Sequence, residues 1–332
     1  MDVLALLKRS IEALPEGEHR RGLFSVMKHI EVASKYLNRA TDIGEDDLYT
    51  DVIYRTNQAF EGSIKEAYRV LSGEDPEKQS IYEIEEYLKG DDVLRPRVLT
   101  QFSRYRKEWR NPSTHDYTLD FDQDEAFLAL MSVSAFAKVL VDQIAQKLAE
   151  RSAAERQKPK KTTSTTPDLM TLVAEEAKQL LNTLAAENDL PQSESELIGT
   201  LSGFMDDGEL AFTFEPLLRN SMRRADMVVA RGKERVIVEV KSSRTANVLD
   251  RQYETLMSEL LQEDSDAKGV LILWHPDASE YHHVDWPSQW GNSDRLRVVL
   301  FSRLEKKGVE EQQTLGDILG NALKAIEEDR EV

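Results

Sequence analysis

Residues 151–166 separate two parts of the chain that follow different patterns. This segment, RSAAERQKPKKTTSTT, is basic and polar and has almost no large apolar residues, which is typical of a linker. Helical spacing dominates before it, whereas two-residue alternation enters after it. The chain has 332 residues, enough for about two domains of roughly 150 residues each. We therefore expect a helical domain over 1–150, a linker over 151–166 and an α/β domain over 167–332.

Apolar residues recur at helical spacing throughout the first part. In the segment 51–71 they are Ile53, Phe60, Ile64, Ala67 and Leu71. Another long helix should begin after Asp122, which forms a D-x-x-E capping box with Glu125. Its expected buried stripe is Phe127, Leu130, Met131, Ala137, Leu140, Ile144 and Leu148. Convincing alternation is absent before residue 150, so this part predicts an all-α bundle.

The second part has the order helix, three strands, helix, strand, which predicts a small α/β domain with a central mixed sheet. Gly232 suits a hairpin turn between the second and third strands. A further strand and a closing helix would follow. The expected helices are 167–186, 249–261 and 314–328, and the expected strands are 209–214, 225–230, 235–241, 269–274 and 296–301.

The charge balance and the residue usage exclude several classes of protein. The chain has 61 acidic and 43 basic residues, and the net charge of −18 argues against coating nucleic acid through bulk charge. Local engagement through a metal or a small basic patch stays possible. Cysteine is absent, which removes disulfides, thiol nucleophiles and cysteine zinc sites. Without a signal peptide or a long apolar run, we expect a cytoplasmic protein that does not enter a membrane.

The stretch 223–243, RRADMVVARGKERVIVEVKSS, carries the most informative pattern in the second part. Side chains of the expected strand 235–241 alternate between two faces. One face carries three valines, Val236, Val238 and Val240. The other face carries Glu239 and Lys241 side by side. Polar side chains opposite an all-valine face indicate either a surface hairpin with a salt bridge or a site.

Hairpin pairing can bring Asp226, at the start of the preceding strand, beside Glu239. Two carboxylates that converge at a strand edge can hold a hard cation such as Mg²⁺. A neighbouring lysine, here Lys241, can then orient the attacking water and stabilise charge that develops on a phosphate.

This D…ExK pattern and its element order resemble the PD-(D/E)xK nuclease superfamily, which has the restriction-endonuclease-like fold. The resemblance covers roughly residues 165–300 and implies a metal-dependent endonuclease, most simply one that acts on DNA with Mg²⁺ or Mn²⁺. It assigns metal binding to Asp226 and Glu239, support of the nucleophilic water to Lys241, and a further metal ligand to the Val240 carbonyl. Ala225 stands where the family motif has proline.

Many members of this superfamily also use an acidic residue from the first helix. A helical wheel places Glu176 at the edge of the apolar face of the helix 167–186 and points Glu175 to solvent. We therefore favour Glu176 as the helix contribution. Gln252, in the following helix, matches a glutamine that family members often carry after the ExK strand.

The segment 104–117, RYRKEWRNPSTHDY, concentrates basic residues in an acidic chain. Pro112 restricts Asn111 away from helical geometry, so the helix should end near Arg110, with His115 just beyond it. A guanidinium grips phosphate and an imidazole titrates near neutrality, which suits metal-independent RNA cleavage by a 2′-hydroxyl. A basic helix end also suits a structural role, because it complements the helix dipole.

The RN-x3-H form of this motif, in an all-helical domain, resembles the HEPN superfamily over about residues 30–150. The resemblance implies a ribonuclease site at Arg110 and His115, and a homodimer that brings two such motifs together. Family members often add a polar residue from an earlier helix, for which Asn57 and Glu61 are both candidates.

Together these patterns predict a nuclease with an N-terminal HEPN-like helical bundle and a C-terminal restriction-endonuclease-like domain. By resemblance, such a pairing belongs to prokaryotic defence or toxin-type effectors. The main alternative is a nucleic-acid-binding or sensing module with one or both sites inactive, acting with a partner. A third is an oligomeric scaffold whose helical half only dimerises.

Overall fold

The computed structural model contains two compact units, one helical and one built on a β-sheet. The helical unit comprises the described residues up to 156 together with 191–206, and the α/β unit comprises the remainder. The expected closing helix at 314–328 lies outside the described residues. The structure describes residues 3–91, 93–115, 119–156, 167–218, 223–242, 251–262, 268–285 and 294–303.

The helical unit has helices throughout its described residues, as the spacing predicted. Its α-helices are α1 (Val3–Ala13), α2 (Glu18–Ile43), α3 (Asp47–Ser72), α4 (Ile81–Leu88), α5 (Pro96–Tyr105), α6 (Asn111–His115), α7 (Gln123–Ala154) and α9 (Glu194–Met205). The capping box before α7 is confirmed. The Glu125 amide donates to Asp122 Oδ1 at 2.8 Å, and the Asp122 amide donates to Glu125 Oε2 at 3.0 Å.

The predicted buried stripe of α7 is wrong at two positions. Phe127 is 50% exposed and Met131 is 41% exposed, whereas Leu130 and Ala137 are buried. At about 100° per residue, the buried face centres on the row through Leu130, Val133 and Ala137. The two misplaced residues lie roughly a quarter-turn or more away from that row, so the neighbouring helices do not cover them.

Helix α7 also has the length and composition of a membrane-spanning helix. It is the one described helix that passes this test, and 56% of its most apolar window is buried within the protein. A core helix has the same properties, so this observation alone is weak evidence for a membrane.

A predicted helix end at Arg110 is also wrong. A π-helical turn over Arg106–Arg110 leads directly into α6, and Asn111 adopts helical angles of φ −68° and ψ −47°. The π turn sends the Asn111 amide hydrogen to the Arg106 carbonyl, five residues back. Pro112 is the second residue of α6 and has no amide hydrogen, so it donates no hydrogen bond to the preceding turn.

Helix α9 packs against α7 through two glycines that the sequence places one helical turn apart. A Cβ on Gly199 would lie 2.1 Å from the Gln146 carbonyl oxygen, and one on Gly203 would lie 2.0 Å from the Glu150 carbonyl oxygen. The backbones of the two helices are therefore in direct contact, which any side chain at these positions would prevent.

The α/β unit is built on a mixed sheet of six strands within the described residues. They are β1 (Ala211–Phe214), β2 (Met227–Arg231), β3 (Glu234–Ser242), β4 (Lys268–Trp274), β5 (Ala278–Asp285) and β6 (Leu296–Arg303). Their order is β1-β2-β3-β4-β6-β5. The first three strands are antiparallel, β3, β4 and β6 run parallel, and β5 is antiparallel to β6. The five predicted strands are confirmed, and β5 was not predicted.

Helices α8 (Leu169–Glu187) and α10 (Arg251–Gln262) lie on opposite faces of this sheet. Directly paired residues of neighbouring strands share a face. Glu239 pairs with Leu271 and Lys241 pairs with Leu273, and both leucines belong to the apolar cluster that contains Met257 of α10. The polar face predicted for β3 is therefore the face that α10 covers.

The contact between α7 and α9 predicts the effect of a single added methyl group. Gly203→Ala should lower the urea midpoint of unfolding and cost about 1–3 kcal/mol, because the Cβ meets a backbone oxygen that cannot rotate away. The measurement is urea denaturation followed by circular dichroism. Ser195→Ala in the first turn of α9 is the matched control, and equal midpoints for the two variants would contradict the close contact.

Candidate functional site

Asp226 lies at the point where β2 stops pairing regularly with β3. The last regular pair joins Met227 to Val238. One residue earlier, the Asp226 amide donates to the side chain of Glu239, with 3.2 Å between the nitrogen and Oε2. The Val240 amide donates in return to Asp226 Oδ2 at 2.9 Å. The hairpin thus brings these two carboxylates together, as their spacing in the sequence indicated.

The Lys241 ammonium lies among three oxygens of this cluster. Its Nζ is 3.2 Å from Asp226 Oδ2, 2.8 Å from Glu239 Oε1 and 2.9 Å from the Val240 carbonyl oxygen. Glu239 and Lys241 share a face of β3, and the Lys241 ammonium donates back to the carbonyl of the residue between them. All four residues of the predicted D…ExK site are therefore in contact.

Glu239 is the most buried of the three charged residues in the cluster, with only 4% of its surface exposed. Burial raises the pKa of its carboxyl above the ordinary value of 4.5, and the nearby Asp226 carboxylate raises it further. Lys241 and the Asp226 amide act in the opposite direction by stabilising the ionised form. The side chains of Asp226 and Lys241 are partly exposed, so the cluster opens to solvent on their side.

Glu176 is buried on α8, with 7% exposure, while Glu175 is partly exposed, as the helical wheel predicted. Glu175 Oε1 lies 2.9 Å from His283 Nδ1. His283 shares a face with Val240, because the strand pairs lead from one to the other through Val299 and Ile272. Helix α8 therefore covers the face opposite to Glu239.

The contributions to the site predicted for Glu176 and Gln252 stay predictions. Glu176 comes from the helix on the far face of the sheet from Glu239 and Lys241. Gln252 is the second residue of α10, on the near face, and its side chain lies outside the described residues.

The predicted N-terminal motif lies in a polar network inside the helical unit. Arg110 Nε is 3.6 Å from Glu61 Oε1, which joins two of the candidate residues. Asn57, the other candidate from the earlier helix, donates from Nδ2 to Ser113 Oγ at 2.6 Å and accepts from the Tyr105 hydroxyl at 3.1 Å. Burial raises the pKa of that hydroxyl.

His115 is the last residue of α6, and its side chain lies outside the described residues. Ser113 and Tyr105 were not predicted as members of this network. Ser113 lies inside the motif, two residues before His115, but Tyr105 reaches Asn57 only through folding, since 48 residues separate them. The π-helical turn before the motif is a feature that often accompanies functional sites.

Metal coordination by side chains alone is limited within the described part of the chain. It contains no group of three or more histidine, aspartate or glutamate side chains positioned to hold an ion. A divalent cation at the D…ExK cluster would therefore rely on two carboxylates and the Val240 carbonyl, with water in the remaining positions.

Comparison of the chain with protein-family models, curated proteins and solved structures finds no match.

The pKa of Glu239 predicts how stability depends on pH. Since the folded protein binds this proton more tightly than the unfolded chain, the free energy of unfolding falls as the pH rises from 4.5 to the raised pKa. Above that value the cost persists in full. Glu239→Gln should therefore raise the urea midpoint at pH 7–8 and flatten its decline above pH 4.5.

Glu234→Gln, at the start of the same strand, is the control with the opposite sign. A hydrogen bond from Arg231 lowers the pKa of Glu234, so neutralising this residue should leave the midpoint unchanged or lower it. Urea titrations at several pH values compare both variants with the wild type. A lower urea midpoint for Glu239→Gln than for Glu234→Gln at pH 7 would contradict the destabilising effect assigned to the buried Glu239 carboxylate.

Proposed function

We propose that the chain is a metal-dependent nuclease whose α/β unit hydrolyses phosphodiester bonds in DNA. One observation carries the proposal. Two carboxylates and a main-chain carbonyl converge on a single point at a strand edge, and a lysine from the same strand reaches that point. This is the set of groups that the resemblance to the PD-(D/E)xK superfamily requires, and it comes from two strands of one hairpin.

The architecture of the unit supports the same proposal. The elements follow the order α8, β1, β2, β3, α10, β4, with α9 inserted after α8, and β1 to β4 are adjacent in the sheet. The resemblance implies a helix, a three-stranded meander, a second helix and a further strand in this order. A restriction-endonuclease-like fold is therefore the assignment that we propose for this unit.

The donor set fits a hard divalent cation. Carboxylate and carbonyl oxygens are the ligands that Mg²⁺ and Mn²⁺ prefer, and here three of them already surround a positive charge, the Lys241 ammonium. Asp226, Glu239 and the Val240 carbonyl would hold the cation. When bound, such an ion polarises a phosphate oxygen and lowers the pKa of a coordinated water.

The protein's own groups would supply the remaining functions. Lys241 would orient the attacking water and stabilise negative charge on the phosphate. Glu239 is buried, and its backbone pairs with Leu271 of β4, which restrains the position of its carboxylate. Glu176 and Gln252 are proposed as additional polar contributors, from α8 and α10 respectively.

The net charge of −18 constrains how DNA would reach the site. Long-range attraction between this chain and DNA is unfavourable, so binding without metal should be weak and sensitive to salt. A partner or an assembled surface would then provide loading. A defence or toxin-type role, in the cytoplasm of a prokaryote, is the biological setting that we propose from the resemblance alone.

For the helical unit we propose a HEPN-like bundle that forms a homodimer. The supporting observation is a set of large apolar side chains that α7 leaves in solvent: Phe127, Leu128 and Met131. Metal-independent RNA cleavage by Arg110 and His115 is the second proposal for this unit, and it rests on the motif and on the network around Asn57.

Loss of the lysine tests the nuclease directly. Lys241→Ala should lower DNA cleavage in Mg²⁺ or Mn²⁺ by at least about 100-fold, because the group that stabilises the developing charge is removed. Lys233→Ala, in the exposed hairpin turn, is the matched control and should cleave like the wild type. The measurement is cleavage of labelled DNA and RNA, with metal and with EDTA, beside circular dichroism of each variant.

The same assay separates the nuclease from a binding or sensing module. If wild-type protein binds DNA but no condition gives cleavage, the binding module becomes the better description. Cleavage that survives Lys241→Ala would exclude the D…ExK cluster as its source. RNA cutting in EDTA that disappears in His115→Ala would assign a second activity to the helical unit.

A charged residue on the exposed part of α7 tests the proposed homodimer. Phe127→Asp combined with Met131→Asp should convert a dimer into a monomer, because each carboxylate would be buried without a partner in the interface. Tyr82→Asp, on the exposed side of α4, is the control. Light scattering that finds the same mass for all three proteins would contradict this interface.

A further inference from the structure

We propose that the Lys241 ammonium and the divalent cation compete for the same three oxygens, so that metal binds only by displacing the lysine. This inference rests on the proposed function and concerns the regulation of that site. The inference is based on the distances around the Lys241 ammonium. Three oxygens lie 2.8–3.2 Å from Lys241 Nζ: Asp226 Oδ2, Glu239 Oε1 and the Val240 carbonyl oxygen. These are also the three atoms expected to ligate the cation.

The two positive ions cannot share this position. Magnesium requires oxygens at about 2.0–2.1 Å in a near-octahedral arrangement, which places it at the centre of its donors. The ammonium already lies within hydrogen-bond distance of all three oxygens, so its nitrogen fills the space between them. An ammonium and a divalent cation held by the same three oxygens would also repel each other strongly in a partly buried site.

Lysine thus acts as an internal counterion in the metal-free protein. Without it, the buried Glu239 carboxylate and the neighbouring Asp226 carboxylate would face each other uncompensated. The ammonium holds the two carboxylates in place before metal arrives. Metal can bind only to the molecules in which the lysine has left the three oxygens. Because these molecules are a fraction of the population, the apparent metal affinity is lower by that fraction.

Displacement also sets an order of events. The lysine stem has four flexible carbons, and its side chain is partly exposed, so it can leave the three oxygens without a change in β3. An ammonium released by the cation stays tethered beside it, within reach of a water or phosphate at the metal. Metal entry and placement of the lysine for chemistry are then one step, and the lysine is not positioned until metal is bound.

Metal affinity, measured without any substrate, tests the competition. Calorimetric titration of full-length protein with Mn²⁺ should give a dissociation constant about ten-fold lower for Lys241→Met than for the wild type. Lys233→Met removes the same charge from the hairpin turn and should leave the affinity unchanged. Equal or weaker binding by Lys241→Met, with Lys233→Met unchanged, would overturn the competition.

Asp226→Asn distinguishes failure of this inference from failure of the proposed function. If Asp226→Asn abolishes Mn²⁺ binding but Lys241→Met does not tighten it, the metal site stands and the competition is wrong. If Asp226→Asn binds Mn²⁺ like the wild type, or if no protein binds it, both the metal site and the competition fail.

A second measurement uses only the wild-type protein and does not depend on how a variant folds. Acetylation by an amine-reactive ester, read by peptide mass spectrometry, reports how accessible each lysine is. Addition of Mn²⁺ should increase modification of Lys241 several-fold and leave Lys233 unchanged. Modification of Lys241 that stays constant or falls when Mn²⁺ binds would overturn the displacement.

Discussion

Glu239 places a carboxylate on a strand that is hydrogen-bonded along both edges and covered by helices on both faces. A charge in such a position is costly unless other groups compensate it, and the compensation here comes from the Asp226 amide and the Lys241 ammonium. The register of the β2–β3 hairpin follows from this requirement. A slip of one residue would move Glu239 to the face covered by α8, where the valines of β3 now pack.

The four groups of the cluster depend on one another for this reason. The Asp226 carboxylate accepts from the Val240 amide, and the Asp226 amide donates to Glu239, so the two chain segments cross-link through side chain and main chain together. The Lys241 ammonium lies within salt-bridge distance of both acids and compensates part of their charge. Each of these groups contacts at least two of the others, so a change in one alters the surroundings of the rest. The bonds between Asp226 and β3 fix the two carboxylates next to each other before any ligand is present.

The parts of the structure that could be predicted from sequence are those governed by local spacing. Valine alternation gave the orientation of β3, and the distance from Asp226 to Glu239 gave their contact, because a hairpin joined at Gly232 leaves few other pairings. Long-range packing accounts for what could not be predicted. Gly199 and Gly203 have low helix propensity, so the local sequence disfavours a helix there. The close contact with the backbone of α7 explains why both positions are glycine.

Other differences from the expected structure have the same origin. Strand β5 is an edge strand that carries His282 and His283 instead of alternating apolar residues, so it lacked the usual signal. The helix continues through Asn111 because a π turn and the bonds of Ser113 stabilise it. A signal for α9 was available in the S-x-x-E pattern at Ser193, whose hydroxyl does cap the helix.

The position of α9 has a consequence for how such a protein could arise and be divided. In the chain it lies between α8 and β1, both of the α/β unit, yet it packs on α7 of the helical unit. The two units are therefore interleaved in sequence and cannot be separated by a single cut. A gene fragment that encodes only the second unit would produce a helix with its glycine face uncovered. Recombination that exchanges whole domains would meet the same obstacle, so the two units would have to be inherited as a pair.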